Sequence, residues 1–178
     1  LDYLIIDFPP GTSDEPLTVA QNLPDIDGMV IVTTPQDVAL LDSRKSITFA
    51  NSLKVDVIGV VENMSGYTIR GKAPAGTAIE LAAPGGKTIK VTTDDNGDWA
   101  GTLDIFKAGG GERTAKDFGV PFLGKLPFDP GFVRGGDDGV HRIVSEPEGE
   151  SSVAFAKVVT EIQDIVESGS NGPGLEII

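Results

Sequence analysis

The sequence predicts an α/β fold: a mostly parallel sheet with helices on both faces, interrupted by a small antiparallel β insertion. Three observations lead there. Short apolar runs at residues 4–6, 29–32, 57–61 and 122–126 lack strict alternation, as strands covered on both faces do. Stretches of helical period lie between them, and an alternation of strand and helix builds parallel sheets through right-handed crossovers. Residues 67 to about 103 break that rhythm, alternating small or apolar with polar side chains between clusters of turn residues.

The run at residues 1–6 reads as a buried strand, and Asp7-Phe8-Pro9-Pro10-Gly11-Thr12-Ser13-Asp14-Glu15 follows directly behind it. This order places Asp7 at the carboxyl end of a strand, where open parallel sheets collect ligands. Pro9 and Pro10 fix their own φ angles and stiffen the loop. Such a carboxylate can hold a Mg²⁺ shell while the Gly11 N–H faces a terminal phosphate; a plain Pro-Gly turn is the alternative. Asp14 and Glu15 suit the first turn of a helix that ends near Leu23, capped by Ser13 or Asp14.

After the strand at 29–32, Leu40, Ile47, Ala50 and Leu53 keep one face of a helix over 39–53. The strand at 57–61 leads into Asn63, a turn former or a site residue. Within 67–103, runs at 77–81, 87–93 and 99–103 read as a three-stranded antiparallel meander, and the spacing of Ile69, Gly71, Gly76 and Trp99 resembles part of a bacterial Ig-like repeat. A short helix over 111–118 should stop at Gly119, which can take the left-handed position, ahead of Pro121. The strand at 122–126 runs into a loop through Pro127 and Asp129. Phe155, Val158, Val159, Ile162, Ile165 and Val166 then mark a last amphipathic helix. The domain division is 1–66 with 104–168 as one α/β unit, 67–103 as insertion and 169–178 as a flexible tail.

The chain has 178 residues and a formal net charge of −13, which argues against non-specific nucleic-acid binding, since phosphate neutralisation needs a basic face. No apolar run approaches the roughly 18 residues of a membrane span. Zero cysteines exclude disulfides and thiolate metal ligation within the chain. It begins at Leu1 without a Met, which reads as a fragment of a longer protein. Several motifs fail on context. Gly86-Lys87-Thr88 mimics the end of a phosphate loop, yet Leu81 stands where a glycine is required and a strand-like run follows. Asp94, Asn96 and Asp98 mimic a calcium loop, but Trp99 and Ile105 occupy its glycine and glutamate positions. Asn63-Met64-Ser65 matches a glycosylation acceptor by chance, and His141 has no paired ligand at metal spacing.

The segment at 7–15, then 28–42 (Gly-Met-Val-Ile-Val-Thr-Thr-Pro-Gln-Asp-Val-Ala-Leu-Leu-Asp), 59–66 (Gly-Val-Val-Glu-Asn-Met-Ser-Gly), Asp104-Ile105-Phe106 with Gly109-Gly110-Gly111-Glu112, and 119–124 (Gly-Val-Pro-Phe-Leu-Gly) together resemble the Mrp family. These are P-loop ATPases of the MinD/ParA-like group that carry iron–sulfur clusters. The resemblance covers residues 1 to about 66 and about 104 to 168. It implies a P-loop NTPase-like fold with the N-terminal P-loop absent from this chain, and ATP and Mg²⁺ as cofactors. Asp7 and Gly11 would be the switch-II catalytic pair, with Asp7 in the second shell of Mg²⁺; Pro10, Asn63, Pro127 and Asp129 would line the nucleotide. It further implies a cytoplasmic homodimer that hydrolyses ATP and hands a 4Fe–4S cluster to apo iron–sulfur proteins, with no nucleic acid and no membrane as partner. The family's C-x-x-C pair is replaced by residues 67–103, so the chain supplies no iron–sulfur ligands and its own cluster carriage is in doubt. Two other functions stay open: a non-catalytic interaction module on the same scaffold, and a ParA/MinD-like positioning ATPase. Residues 153–166 carry one Lys and two acids, a poor match to a basic membrane-targeting helix.

Overall fold

The computed structural model describes residues 2–9, 14–23 and 26–169. Three parallel strands, β1 (Met29–Thr33), β2 (Val57–Glu62) and β7 (Phe122–Lys125), form a sheet in the order β1-β2-β7. Between β1 and β2 runs α2 (Asp37–Ser52), and α3 (Gly110–Phe118) precedes β7. Helix α1 (Asp14–Asn22) lies near the start, and α4 (Pro130–Asp138), α5 (Arg142–Ser145) and α6 (Glu150–Glu167) follow β7.

The strand β2 is buried along nearly its whole length, because both of its faces are covered. On one side Val60 meets Ile31 of β1, Ile47 of α2 and Ala115 of α3. On the other, Ile58 and Val61 meet Leu123 of β7 and Val158 of α6. Neighbouring residues of one strand thus feed two separate cores, which explains the unbroken apolar run. Gly119 ends α3 with φ 66°, the left-handed stop anticipated from the sequence.

The expected strand at 4–6 is not formed. Residues 2–9 have no strand pairing, and Leu4 and Ile5 are 69% and 91% exposed. Apolar character alone does not make a strand; a neighbour must complete its hydrogen-bond ladder. Among the described residues β1 is an edge strand with nothing paired beyond it, and its Val32 is 60% exposed. Tyr3 ties this segment to the end of α6 by donating to Glu167 at 2.5 Å.

The insertion has four strands where the sequence suggested a meander of three. β3 (Tyr67–Lys72) pairs antiparallel with β6 (Asp98–Leu103), and β4 (Ala78–Ala82) pairs antiparallel with β5 (Thr88–Thr92). The inner hairpin folds onto the outer pair: Trp99 lies over Gly71, and Leu81, Ile89 and Val91 crowd the bare Cα of Gly101. Arg70 reaches Glu150 at the start of α6 at 2.5 Å, and Tyr67 meets Phe128 edge-on with ring centroids 5.7 Å apart.

None of the sheet strands crosses this insertion. Exchanging residues 67–103 for a short Gly-Ser linker is therefore expected to leave a cooperative α/β fold, at a cost of about 1–2 kcal/mol for the lost ring pair and exposed ion pair. Circular dichroism melting checks it, since Trp99 is the only tryptophan and leaves with the insertion. Loss of the cooperative transition would show that the insertion belongs to the core.

Candidate functional site

Three turns converge at the carboxyl ends of the parallel strands. Asn63 donates its backbone N–H to Thr33 O at 2.7 Å, which ties the end of β2 to that of β1. Leu126 N donates to Glu62 O at 2.8 Å, Ser65 N to Leu126 O at 2.9 Å and Phe128 N to Gly66 O at 2.8 Å. The turn after β2 and the turn after β7 thus continue the sheet ladder beyond the strands, which sets Ser65 and Gly66 beside residues 126–128 while Asn63 is tied to β1. Such crevices outside strand ends are the ligand sites of open α/β sheets.

Asn63 is half-buried, and its Oδ1 accepts the Met64 N–H at 2.8 Å. That bond supports Met64 at φ 56°, a left-handed conformation that costs a residue with a Cβ roughly 1–2 kcal/mol. No partner of the Asn63 amide NH₂ is found among the described residues, so this group is left as a donor.

Asp129 serves the fold. It caps α4 by accepting the Gly131 N–H at 2.7 Å, and its second oxygen accepts from Arg142 Nε at 3.1 Å. Its side chain is 16% exposed. Burial opposes the charged form, but the Gly131 N–H, the Ser151 hydroxyl and Arg142 outweigh it and hold the carboxyl below its ordinary pKa. Arg142 is also paired with Glu146, so one guanidinium joins the start of α4 to α5. A carboxylate so engaged has little left to offer a ligand.

Of the other expected site residues, Asp7 is exposed on the strandless segment 2–9, and among the described residues no hydrogen bond or ion pair joins it to these turns. Pro10 and Gly11 lie outside the described residues. The residue that the sequence reading passed over is Glu62. It is fully buried, and its carboxylate accepts the Ser65 hydroxyl at 2.6 Å, the Gly109 N–H at 3.1 Å and the Gly111 N–H at 2.7 Å. A Cβ on Gly111 would stand 2.9 Å from the Glu62 Cβ, so only glycine admits this approach. An acid ending an otherwise apolar strand, with a glycine triplet downstream, was the available signal.

The first turn of α3, with its free N–H groups, would ordinarily attract an anion. Here Glu62 fills that position, which leaves no phosphate site there. Among the described residues no cluster of His, Asp or Glu could hold a metal ion, and without cysteine the chain does not fit a thiolate-held iron–sulfur cluster. An open groove of about 540 Å³ lies elsewhere, on the insertion around Arg70, Lys72, Asp98 and Trp99; the Lys72–Asp98 ion pair crosses it.

The family model for ParA, described as the NUBPL iron-transfer P-loop NTPase, matches residues 1–81 and 94–163. The chain belongs to this family. The match is interrupted across 82–93, from the end of β4 through β5. An iron–sulfur cluster carrier protein of Methanocaldococcus jannaschii is 40% identical over 167 residues, 94% of this chain and 48% of the relative. A carrier of the same name from Synechocystis is 40% identical over 162 residues, 91% of this chain and 38% of the relative. The chain thus spans about half or less of the length of these relatives. A solved nucleotide-binding protein of Archaeoglobus fulgidus, in complex with ADP, superposes with a TM-score of 0.53 at 30% identity, covering 87% of this chain and 51% of that one. No helix among the described residues is long and apolar enough to cross a membrane.

The Asp129 cap has a pH signature. A depressed carboxyl pKa contributes stability above the unfolded value, near 4, and loses it as the pH falls through the folded value. Asp129→Asn is expected to lower stability by about 1–2 kcal/mol at neutral pH and to flatten the loss of stability of the natural sequence below about pH 4. Urea unfolding across pH 3 to 7 measures both effects; parallel pH curves for the two proteins would contradict this assignment.

Proposed function

We propose that this chain is the C-terminal part of an Mrp-like ATP-binding iron–sulfur cluster carrier or assembly protein, and that it supplies the base-recognition side of the nucleotide site. The observation that carries the reading is the ladder of hydrogen bonds that joins the turn holding Asn63 to the turn through Pro127, Ser65 N to Leu126 O and Phe128 N to Gly66 O. The carrier relatives and the ADP-bound neighbour support it. In the whole protein ATP is hydrolysed in a cytoplasmic homodimer, and Asp7 and Gly11 face the phosphate end, Asp7 through the water shell of Mg²⁺. The bound Mg-nucleotide supplies the phosphoryl group and its charge neutralisation. The chain's own part is to orient the base, with the Asn63 NH₂ as donor and Pro127 against the ring, and to keep the neighbouring turn fixed.

A second reading, an interaction module without cluster carriage, is favoured by one feature: a four-stranded insertion and no cysteine where the family resemblance implies cluster ligands. The two readings share the scaffold and differ on catalysis and cargo.

Without a phosphate loop the chain is expected to bind Mg-ADP only in about the millimolar range, with ¹⁵N chemical-shift changes confined to residues around 63–66 and 126–129. Changes spread elsewhere, or absent at saturating nucleotide, would overturn the base-side assignment. Anaerobic incubation with ferrous iron and sulfide should yield no stable cluster absorption in the visible; a persistent cluster would refute the separation of cargo from this chain. In a protein that also contains the phosphate loop, Asp7→Ala should depress hydrolysis far more than Asp14→Ala, read by phosphate release.

A further inference from the structure

The Asn63 turn is held in an unusual shape by something other than its own backbone preference. Met64 sits in the left-handed region at φ 56°, and Gly66 follows at φ 83°. Two side chains stabilise this turn from within it: Asn63 through its bond to Met64 N, and Ser65 through its hydroxyl on Glu62. The Glu62 carboxylate is in turn fixed from the far side by Gly109 and Gly111. Three donors on a fully buried carboxylate make a rigid post, because moving it would leave a charge without hydrogen bonds in the interior.

We propose that Glu62 is a positioning residue for base recognition: through Ser65 it fixes the turn that presents the Asn63 amide NH₂ to a ring-nitrogen acceptor of a purine nucleotide. This rests on the reading that Asn63 faces the base. Glu62 itself touches no ligand. It is enclosed completely, its oxygens are taken by three protein donors, and its charge would repel a phosphate. Its effect reaches the ligand only through the geometry of residues 63–66. With the Asn63 Oδ1 committed to Met64 N, a slack turn would free that oxygen and let the amide reorient, so the donor would no longer be set toward one acceptor.

The test uses the ¹⁵N-labelled chain, titrated with Mg-ADP, in its natural sequence and as Glu62→Gln and Ser65→Ala. Gln keeps the volume but replaces one acceptor oxygen by an NH₂ that faces existing donors; Ala removes only the hydroxyl that links turn to post. Both variants should bind about tenfold more weakly or lose the response, as expected for one lost charge-assisted hydrogen bond. The Asn63 side-chain NH₂ resonances should also move in the nucleotide-free Ser65→Ala protein, a change that loss of general stability would not produce. If the natural chain shows no response around residues 63–66, the base-side reading fails and this proposal with it. If the natural chain responds and Ser65→Ala responds identically, with unmoved Asn63 resonances, the positioning role is overturned while the base-side reading stands. Should Glu62→Gln fail to fold, Ser65→Ala alone decides between these outcomes.

Discussion

The structure turns on a single buried carboxylate. Glu62 ends β2, the strand that both cores share, and it accepts from Ser65 just before the insertion and from Gly109 and Gly111 just after it. Both roots of a four-stranded excursion are thus fastened to one side chain in the sheet. Loop-closure entropy grows only slowly with length, so once the roots are pinned the material between them is free to vary. The post also explains two local oddities: a glycine where α3 begins, because Gly111 must lie against Glu62, and a left-handed Met64, whose turn is held by the neighbouring Asn63 and Ser65.

The burial of charge at this point works because the partners are dipoles and not cations. Backbone N–H groups at the first turn of α3 carry partial positive charge and cost no side-chain entropy to hold in place. A lysine in the same role would have to be desolvated as well. The nearby Lys125 pairs instead with the exposed Glu112 at 3.0 Å, outside the core, where such a pair contributes little. Among the described residues Glu62 is the one fully buried acid, and peptide dipoles rather than a lysine or arginine meet it.

The sequence made legible what depends on periodicity. The strands β1, β2 and β7, the faces of α2 and α6, and the stop at Gly119 all follow from apolar spacing or a glycine position. What depends on partners was not legible. The apolar run at 4–6 has the composition of a strand but finds no neighbouring ladder among the described residues. β3 was missed because Thr68, Arg70 and Lys72 dilute its pattern, and it gains its place only by pairing with β6, some 30 residues on. Asp129 and Pro130 carried a readable start signal for α4, a capping acid before a first-position proline, yet Gly135 and Gly136 hid the helix. Asn63 and the 127–129 turn could be named from resemblance, but the bonds that join their two turns belong to the ladder beyond the strand ends. Glu62 looked like the polar end of a strand; its role exists only once α3 lies against it.

The turns after β2 and β7 stand at the ends of paired strands, and the first of them is braced by Glu62. The segment 67–103 is attached at two pinned roots and meets the scaffold through the Tyr67–Phe128 ring pair, the Arg70–Glu150 ion pair and a Thr68–Glu150 hydrogen bond, the exposed polar contacts weak in water. A message between insertion and base turn has a short covalent route, through Gly66 into Tyr67 and through Gly109 into α3, and both of its ends meet the same carboxylate.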